Sequence, residues 1–320
     1  IFLNIEGCIE KSMKYLITGG AGFIGSNLCR ELLELGHSII CLDDLSTGKR
    51  SNISDLENSS NFTFVLHDLT KPFFPDNIDG IFNLACPASP VHYQYNPIRT
   101  LKMGTLAMYN VLGMASKFKI PILQASTSEI YGDPIEHPQS ESYWGNVNPI
   151  GPRACYDEGK RVAEALCLAY KTHSNTDIRI ARIFNTYGPF MTKDDGRVVS
   201  NFVVQALSSN SLTVYGDGKQ TRSFCYVDDQ VKGLIALMNS DYDLPINIGN
   251  PNEITVIELA KIICELTSSD SKINFMDLPQ DDPVKRCPDI SLAREVLGWE
   301  PEIHIRDGLK KTIDWFNKLI

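Results

Sequence analysis

No stretch of this 320-residue chain approaches the roughly 20 consecutive apolar residues that span a bilayer. A helical membrane protein is therefore not expected. The nine cysteines are scattered, with no Cys-x-x-Cys pair. That excludes an obvious disulfide framework or zinc site and fits reduced thiols in a cytoplasmic compartment. Basic residues are outnumbered, 30 Lys and Arg against 39 Asp and Glu, for a formal charge of −9. General nucleic-acid binding is disfavoured, while a local basic pocket for an anionic small molecule stays open. The first twelve residues lack a basic n-region and a sufficient apolar run for a signal peptide. Met13-Lys14 reads as the natural start, with residues 1–12 as an N-terminal extension. There is no internal repeat and no low-complexity linker.

What is present is an α/β alternation. Tyr15–Thr18 reads as a strand, and Ile24, Leu28, Leu32 and Leu35 recur at helical spacing until Gly36 ends the helix. Further strands are expected at Ser38–Leu42, Phe62–Leu66, Gly80–Ala85, Ile120–Ala125 and Ile178–Ile183. Helices are expected over Ile98–Lys117 and from Tyr156 to about His173. Repeated β-α-β units imply a doubly wound parallel sheet of Rossmann type. Beyond it, Gly, Pro, Asp and Asn interrupt shorter elements, as at Tyr215-Gly216-Asp217-Gly218. The expected organisation is a dinucleotide-binding domain, mainly 13–185, and a smaller C-terminal substrate lobe, mainly 186–320, with some chain crossing back to the sheet.

Two features carry chemistry. Gly19-Gly20-Ala21-Gly22-Phe23-Ile24-Gly25 forms a Gly-x-x-Gly-x-x-Gly turn between a strand and a helix. Glycines there permit a tight turn and let backbone N–H groups approach a pyrophosphate at a helix N-terminus. Gly19, Gly22, Phe23, Ile24 and Gly25 are thus cofactor candidates, although alone the turn is only a strand-helix connection. Asp43 ends the second strand, where a carboxylate can bond adenosine ribose hydroxyls and repel a 2′-phosphate, so the expected cofactor is NAD rather than NADP. Asp68, after the third strand, suits either the adenine edge or a plain cap. Leu84, ending the fourth, falls by the cofactor groove.

The second feature is Tyr156 with Lys160, a Tyr-x-x-x-Lys spacing of about one helical turn. A phenol with a pKa of about 10 is a poor base at neutral pH, and a nearby ammonium is expected to lower that value. Thr127-Ser128-Glu129 follows the fifth strand. By itself it reads as a turn or helix cap. With Tyr156 and Lys160 downstream, Thr127 becomes a candidate to position a substrate oxygen and Glu129 a candidate for proton exchange. A dinucleotide site with an activated tyrosine is equipment for taking a hydride and a proton from a secondary alcohol.

From Lys14 almost to the C-terminus the chain resembles the extended short-chain dehydrogenase/reductases that modify nucleotide sugars, and among them the UDP-glucuronate decarboxylases. The motifs are 84–90 (LACPASP), 127–133 (TSEIYGD), 143–153 (YWGNVNPIGPR), 182–189 (RIFNTYGP), 220–224 (QTRSF) and 285–290 (KRCPDI). The resemblance implies a cycle on one held NAD: oxidation of the sugar at C4, loss of CO2 from the resulting β-keto acid, and return of hydride to give UDP-xylose. It places Thr127, Glu129, Tyr156, Lys160 and Arg286 in catalysis, with Arg286 also beside the substrate carboxylate. It assigns Lys102, Asn185 and Arg222 to nucleotide-sugar binding, where the plain alternatives are a solvated lysine, a loop cap and a surface arginine. Asn110 and Gly113 match the substrate-side helix, and Tyr215 to Gly218 the uridine-side segment. It suggests a homodimer built through helices that include the one bearing Tyr156.

Two departures stand out. Asn83 replaces a frequent His, and Met103-Gly104 replaces a Thr-Asn pair, where Gly104 is expected to loosen its helix. The competing activities are a sugar-nucleotide 4,6-dehydratase or 4-epimerase, sharing the first oxidation. Dehydratases usually carry an Asp-Glu pair where this chain has Ser128-Glu129. A non-catalytic dinucleotide-binding regulator is the reading from another class, disfavoured by the retained catalytic set.

Overall fold

The computed structural model describes residues 11–277 and 285–320, so 1–10 of the expected N-terminal extension lie outside the described residues. The apolar runs of the first half form six parallel strands: β1 (Lys14–Thr18), β2 (Ser38–Asp43), β3 (Phe62–Leu66), β4 (Gly80–Asn83), β5 (Ile122–Thr127) and β6 (Ile178–Ile183). A seventh, Pro245–Ile248, pairs with β6, giving the order Pro245–Ile248, β6, β5, β4, β1, β2, β3. Strand order reverses between β1 and β4, which opens a crevice at the carboxyl ends of the strands. Near-continuous burial of β1, β2, β4, β5 and β6 is what a parallel sheet covered on both faces requires.

Helices cover the sheet. α1 (Phe23–Glu34), α2 (Pro90–Tyr95), α3 (Pro97–Lys102), α4 (Met108–Phe118) and α5 (Ala154–Ser174) lie in the first half. Between α3 and α4 runs a π-helical turn, Met103–Ala107, so the expected 98–117 helix is one rod with a widened turn. The expected fifth strand starts and ends two residues later, because Ile120 and Pro121 precede the pairing with β6. The second half supplies the Pro245–Ile248 strand and the helix Val227–Met238, which packs on β6. Short strands, Thr221–Ser223 with Glu253–Thr255 and Lys285–Arg286, form a small separate sheet beside the crevice.

The two departures from the family pattern each have a structural role. Asn83 is buried in the sheet, accepting from Thr18 Oγ1 at 2.6 Å and donating to Gln124 Oε1 at 2.6 Å. An amide with both ends bonded crosses three adjacent strands without an unpaired polar group. Gly104 lies in that widened turn. It is buried where the π-turn meets α5, and a Cβ there would lie 2.4 Å from the Gly159 carbonyl oxygen. Gly159 sits directly before Lys160, so this contact fixes the depth of the catalytic helix. Gly104→Ala should cost roughly 1–3 kcal/mol by overpacking and lower turnover with it. A thermal melt and an activity assay check this, and both unchanged would show that the backbones separate freely.

Candidate active site

A cavity of about 590 Å³ occupies the crevice. Its floor is the glycine-rich turn. Gly19 has φ +69°, and a Cβ on it would lie 2.8 Å from Ala85 N; one on Gly25 would lie 2.2 Å from Gly19 O. The turn leads into α1 with no side-chain cap and no acidic residue in the first turn. That helix start therefore keeps its affinity for an anion. Asp43 ends β2 and accepts from Ala21 N at 3.0 Å and Leu45 N at 2.8 Å, tying the turn to the strand end. Burial pushes its carboxyl above the ordinary range, offset in part by those N–H groups. Gly19, Gly22, Phe23, Ile24 and Gly25 line the cavity with Asp43 and Leu84. A side-chain-free cradle at a helix start, with a carboxylate at the next strand end, fits a dinucleotide lacking a 2′-phosphate.

Not every expected residue reaches this cavity. Asp68 bonds Thr70 N at 3.0 Å and Thr70 Oγ1 at 2.9 Å, the geometry of a cap. It borders a smaller separate cleft with Asn96, Arg99 and Lys102, while its neighbours His67 and Leu69 line the main one. Lys102 is exposed on α3 and is absent from the main cavity's lining. Asn110 donates to the Leu69 carbonyl at 2.9 Å, and Gly113 faces the Tyr170 hydroxyl; neither lines the main cavity. Asn185, Arg222 and Tyr215 do.

The reaction residues converge. β5 delivers Thr127 to the cavity, and the first turns of α5 deliver Tyr156 and Lys160. Tyr156 stacks on Tyr93 of α2, ring centroids 4.9 Å apart and planes 6° from parallel. The phenol's pKa contradicts the expected lowering: it stands well above the ordinary value, chiefly through burial. Lys160 Nζ donates to the Ala125 carbonyl at 2.7 Å and lies 5.7 Å from the Tyr156 ring centroid, and burial outweighs what its charge contributes. A hydrogen bond from Thr127 pulls the phenol's pKa the other way. In the free protein, then, Tyr156 is a buried phenol held by Thr127 and Tyr93.

Beside it lies a charge cluster. The 3-10 turn after β5 carries Glu129, whose carboxylate receives both terminal nitrogens of Arg286, NH2 at 2.8 Å from Oε2. Arg153, just before α5, donates to the same carboxylate. Burial opposes ionisation of Glu129, but the two guanidiniums win and hold its pKa at about 2. Glu129 is thus a fixed anion at neutral pH. The expected role of Arg286 toward a substrate carboxylate needs adjusting: in the free protein its fork is engaged by Glu129, while its Nε is buried without a partner.

Three lining residues were not singled out from sequence. Arg153 stood in a quoted motif without a role, yet it precedes Tyr156 by three residues, a spacing that shares a helix face. Tyr93 falls outside every quoted motif. Arg197 bonds Asp195 Oδ2 at 2.7 Å and lies 5.6 Å from the Phe23 ring centroid, over the glycine turn. Only the return of the chain from the second half brings it there.

A parallel sheet with this switch point, a dinucleotide cradle and a buried Tyr-x-x-x-Lys helix define a nucleotide-dependent oxidoreductase-type site. The chain belongs to the NAD dependent epimerase/dehydratase family, whose model matches residues 15–249. It is 52% identical over 310 residues to UDP-glucuronic acid decarboxylase 1 of Xenopus tropicalis, covering 97% of this chain and 73% of that one. It is 53% identical over 301 residues to UDP-glucuronic acid decarboxylase 6 of Arabidopsis thaliana, covering 94% and 88%. Among solved structures it resembles UDP-glucuronic acid 4-epimerase of Bacillus cereus in complex with UDP-glucuronic acid and NAD. That match has a TM-score of 0.87 at 28% identity and covers 96% of this chain and 100% of that one.

Proposed function

We propose that this enzyme converts UDP-glucuronate to UDP-xylose and CO2 through a 4-keto intermediate, using NAD catalytically. The observation that carries the reading is one cavity that holds a tyrosine and threonine suited to alcohol oxidation and, beside them, a buried arginine cluster suited to a carboxylate. Relatives named as decarboxylases at about half identity over nearly the whole chain support it. NAD supplies a hydride acceptor and donor for C4 and, when oxidised, a positive charge that favours the phenolate of Tyr156.

Tyr156 takes the proton of the sugar 4-hydroxyl, and Thr127 orients that oxygen. Oxidation at C4 places a ketone β to the sugar carboxylate. The C5–carboxylate bond then breaks, CO2 leaves, and the electron pair is held as an enolate. Arg286 orients the carboxylate through its planar fork. Glu129, fixed as an anion by Arg153 and Arg286, can hold a water by accepting its hydrogen bond. It is not the store of the proton that reaches C5, which comes from solvent. Tyr156 returns its proton to O4 as the alcohol is restored. Asn185, Arg222 and the Tyr215 segment take the nucleotide end.

A homodimer fits the surface. Leu101, Leu106, Tyr109 and Val162, on the helical rod and α5, are 40–60% exposed. A reducing compartment fits the eight cysteines of the described residues, all free. Among the described residues no helix is long and apolar enough to cross a membrane.

The closed redox cycle has a direct test. Purified enzyme should consume many equivalents of UDP-glucuronate while the NADH absorbance stays flat. One equivalent of free NADH per product would instead indicate a dehydrogenase that releases its reduced cofactor.

A further inference from the structure

The mechanism uses one carboxylate beside the arginines, but a second lies behind it. Asp157 directly follows the catalytic tyrosine on α5 and is 5% exposed. Its Oδ1 is buried with no hydrogen-bond partner, and its Oδ2 stands 4.0 Å from Arg153 Nε. Arg153 bonds Glu129, and Arg286 holds the same Glu129 from the Lys285–Arg286 strand. The groups facing Asp157 are therefore Glu129 from the turn after β5, Arg153 and Glu158 near the start of α5, Arg286, and the Tyr93 phenol of α2.

Without substrate, two carboxylates balance two guanidiniums. A sugar carboxylate at Arg286 makes three anions to two cations around side chains that are largely buried. Uncompensated buried charge is costly, and a titratable group changes protonation in preference to bearing that cost. Among these carboxylates the choice is already made by environment. The arginines hold Glu129 near 2, whereas burial and the Glu129 charge push Asp157 up to about 7.

We propose that Asp157 compensates the charge of the incoming substrate, taking one proton from solvent onto its carboxylate when the sugar carboxylate binds beside Arg286. A neutral Asp157 no longer competes with Glu129 for Arg153, so part of the Arg286 fork can turn to the substrate. After loss of CO2 and protonation at C5 the third anion is gone, and Asp157 returns its proton to solvent. No proton is gained at Asp157 over a full turn. Asp157 is a positioning residue, acting through Arg153 without touching substrate. The inference rests on the proposed reading that the substrate carries a carboxylate.

The test counts protons on binding. The Tyr156→Phe holoenzyme, loaded with NAD, leaves its ligand intact and is titrated calorimetrically at pH 8 in buffers of different ionisation heat. UDP-glucuronate should take up about 0.5–1 proton per site, and UDP-glucose close to none. Adding Asp157→Asn should abolish the uptake. Binding of UDP-glucuronate to the tyrosine variant with no proton uptake overturns the proposal without any aspartate variant. Equal uptake with and without Asp157 also overturns it. Conversion of UDP-glucuronate by the wild-type enzyme tests the substrate reading separately, because the proton count reads binding alone.

Discussion

Replacing Tyr156 by Phe should leave NAD bound and lower turnover of UDP-glucuronate by roughly 10²–10⁴-fold, the range for removal of a general acid-base group. The selectivity of the loss follows from the packing. The ring is held by the stack on Tyr93 and by the burial of α5, neither of which needs the hydroxyl. The glycine turn and Asp43, which carry the cofactor cradle, do not bond the phenol. What disappears is the oxygen that Thr127 bonds and that accepts the 4-hydroxyl proton. NAD released on denaturation gives the occupancy, and CO2 from labelled substrate gives the rate. Turnover within a few-fold of wild type would remove Tyr156 as the base.

The second large effect is expected at Arg286. Arg286→Ala should cut turnover by roughly 10²–10³-fold, the scale of a lost electrostatic anchor in a buried site, while UDP itself binds nearly as before. Two consequences compound: the substrate carboxylate loses its fork, and Glu129 keeps only Arg153. Breaking one side of a buried ion pair leaves charge uncompensated, so some loss of stability accompanies the change. Arg286→Lys should be impaired less severely, since an ammonium retains charge but not the planar fork. Combining Arg286→Ala with Glu129→Gln separates the two consequences. If Arg286 acts only by holding Glu129, the double variant is no worse than the single one. If it also binds substrate, the double variant stays impaired beyond Glu129→Gln. Wild-type activity in Arg286→Ala would remove Arg286 from the mechanism.

Legibility followed the range of the interactions. The first six strands, α1 and α5 were readable because each is a local run with its own period and stop, as Gly36 after α1 shows. So was the convergence of Gly19, Asp43, Thr127 and Tyr156, because strand ends in a doubly wound sheet share one edge. The seventh strand was missed: Pro245–Ile248 is four residues long and gains its identity from pairing with β6. The π-turn at Met103 had no sequence mark other than Gly104, whose reason lies in Gly159, 55 positions later. The state of Tyr156 was misjudged because spacing placed Lys160 on the same face but could not show the burial that raises the phenol's pKa. The mutual hold of Glu129, Arg153 and Arg286 joins three distant segments, and no one of them announces it.

The most direct test of the account is the product of UDP-glucuronate incubated with purified enzyme and catalytic NAD, followed by mass spectrometry with CO2 counted from substrate labelled in the carboxylate. The account predicts UDP-xylose and CO2 in equal amounts, with no product retaining the carboxylate. A C4 epimer of UDP-glucuronate formed without CO2 would contradict it and make the enzyme an epimerase.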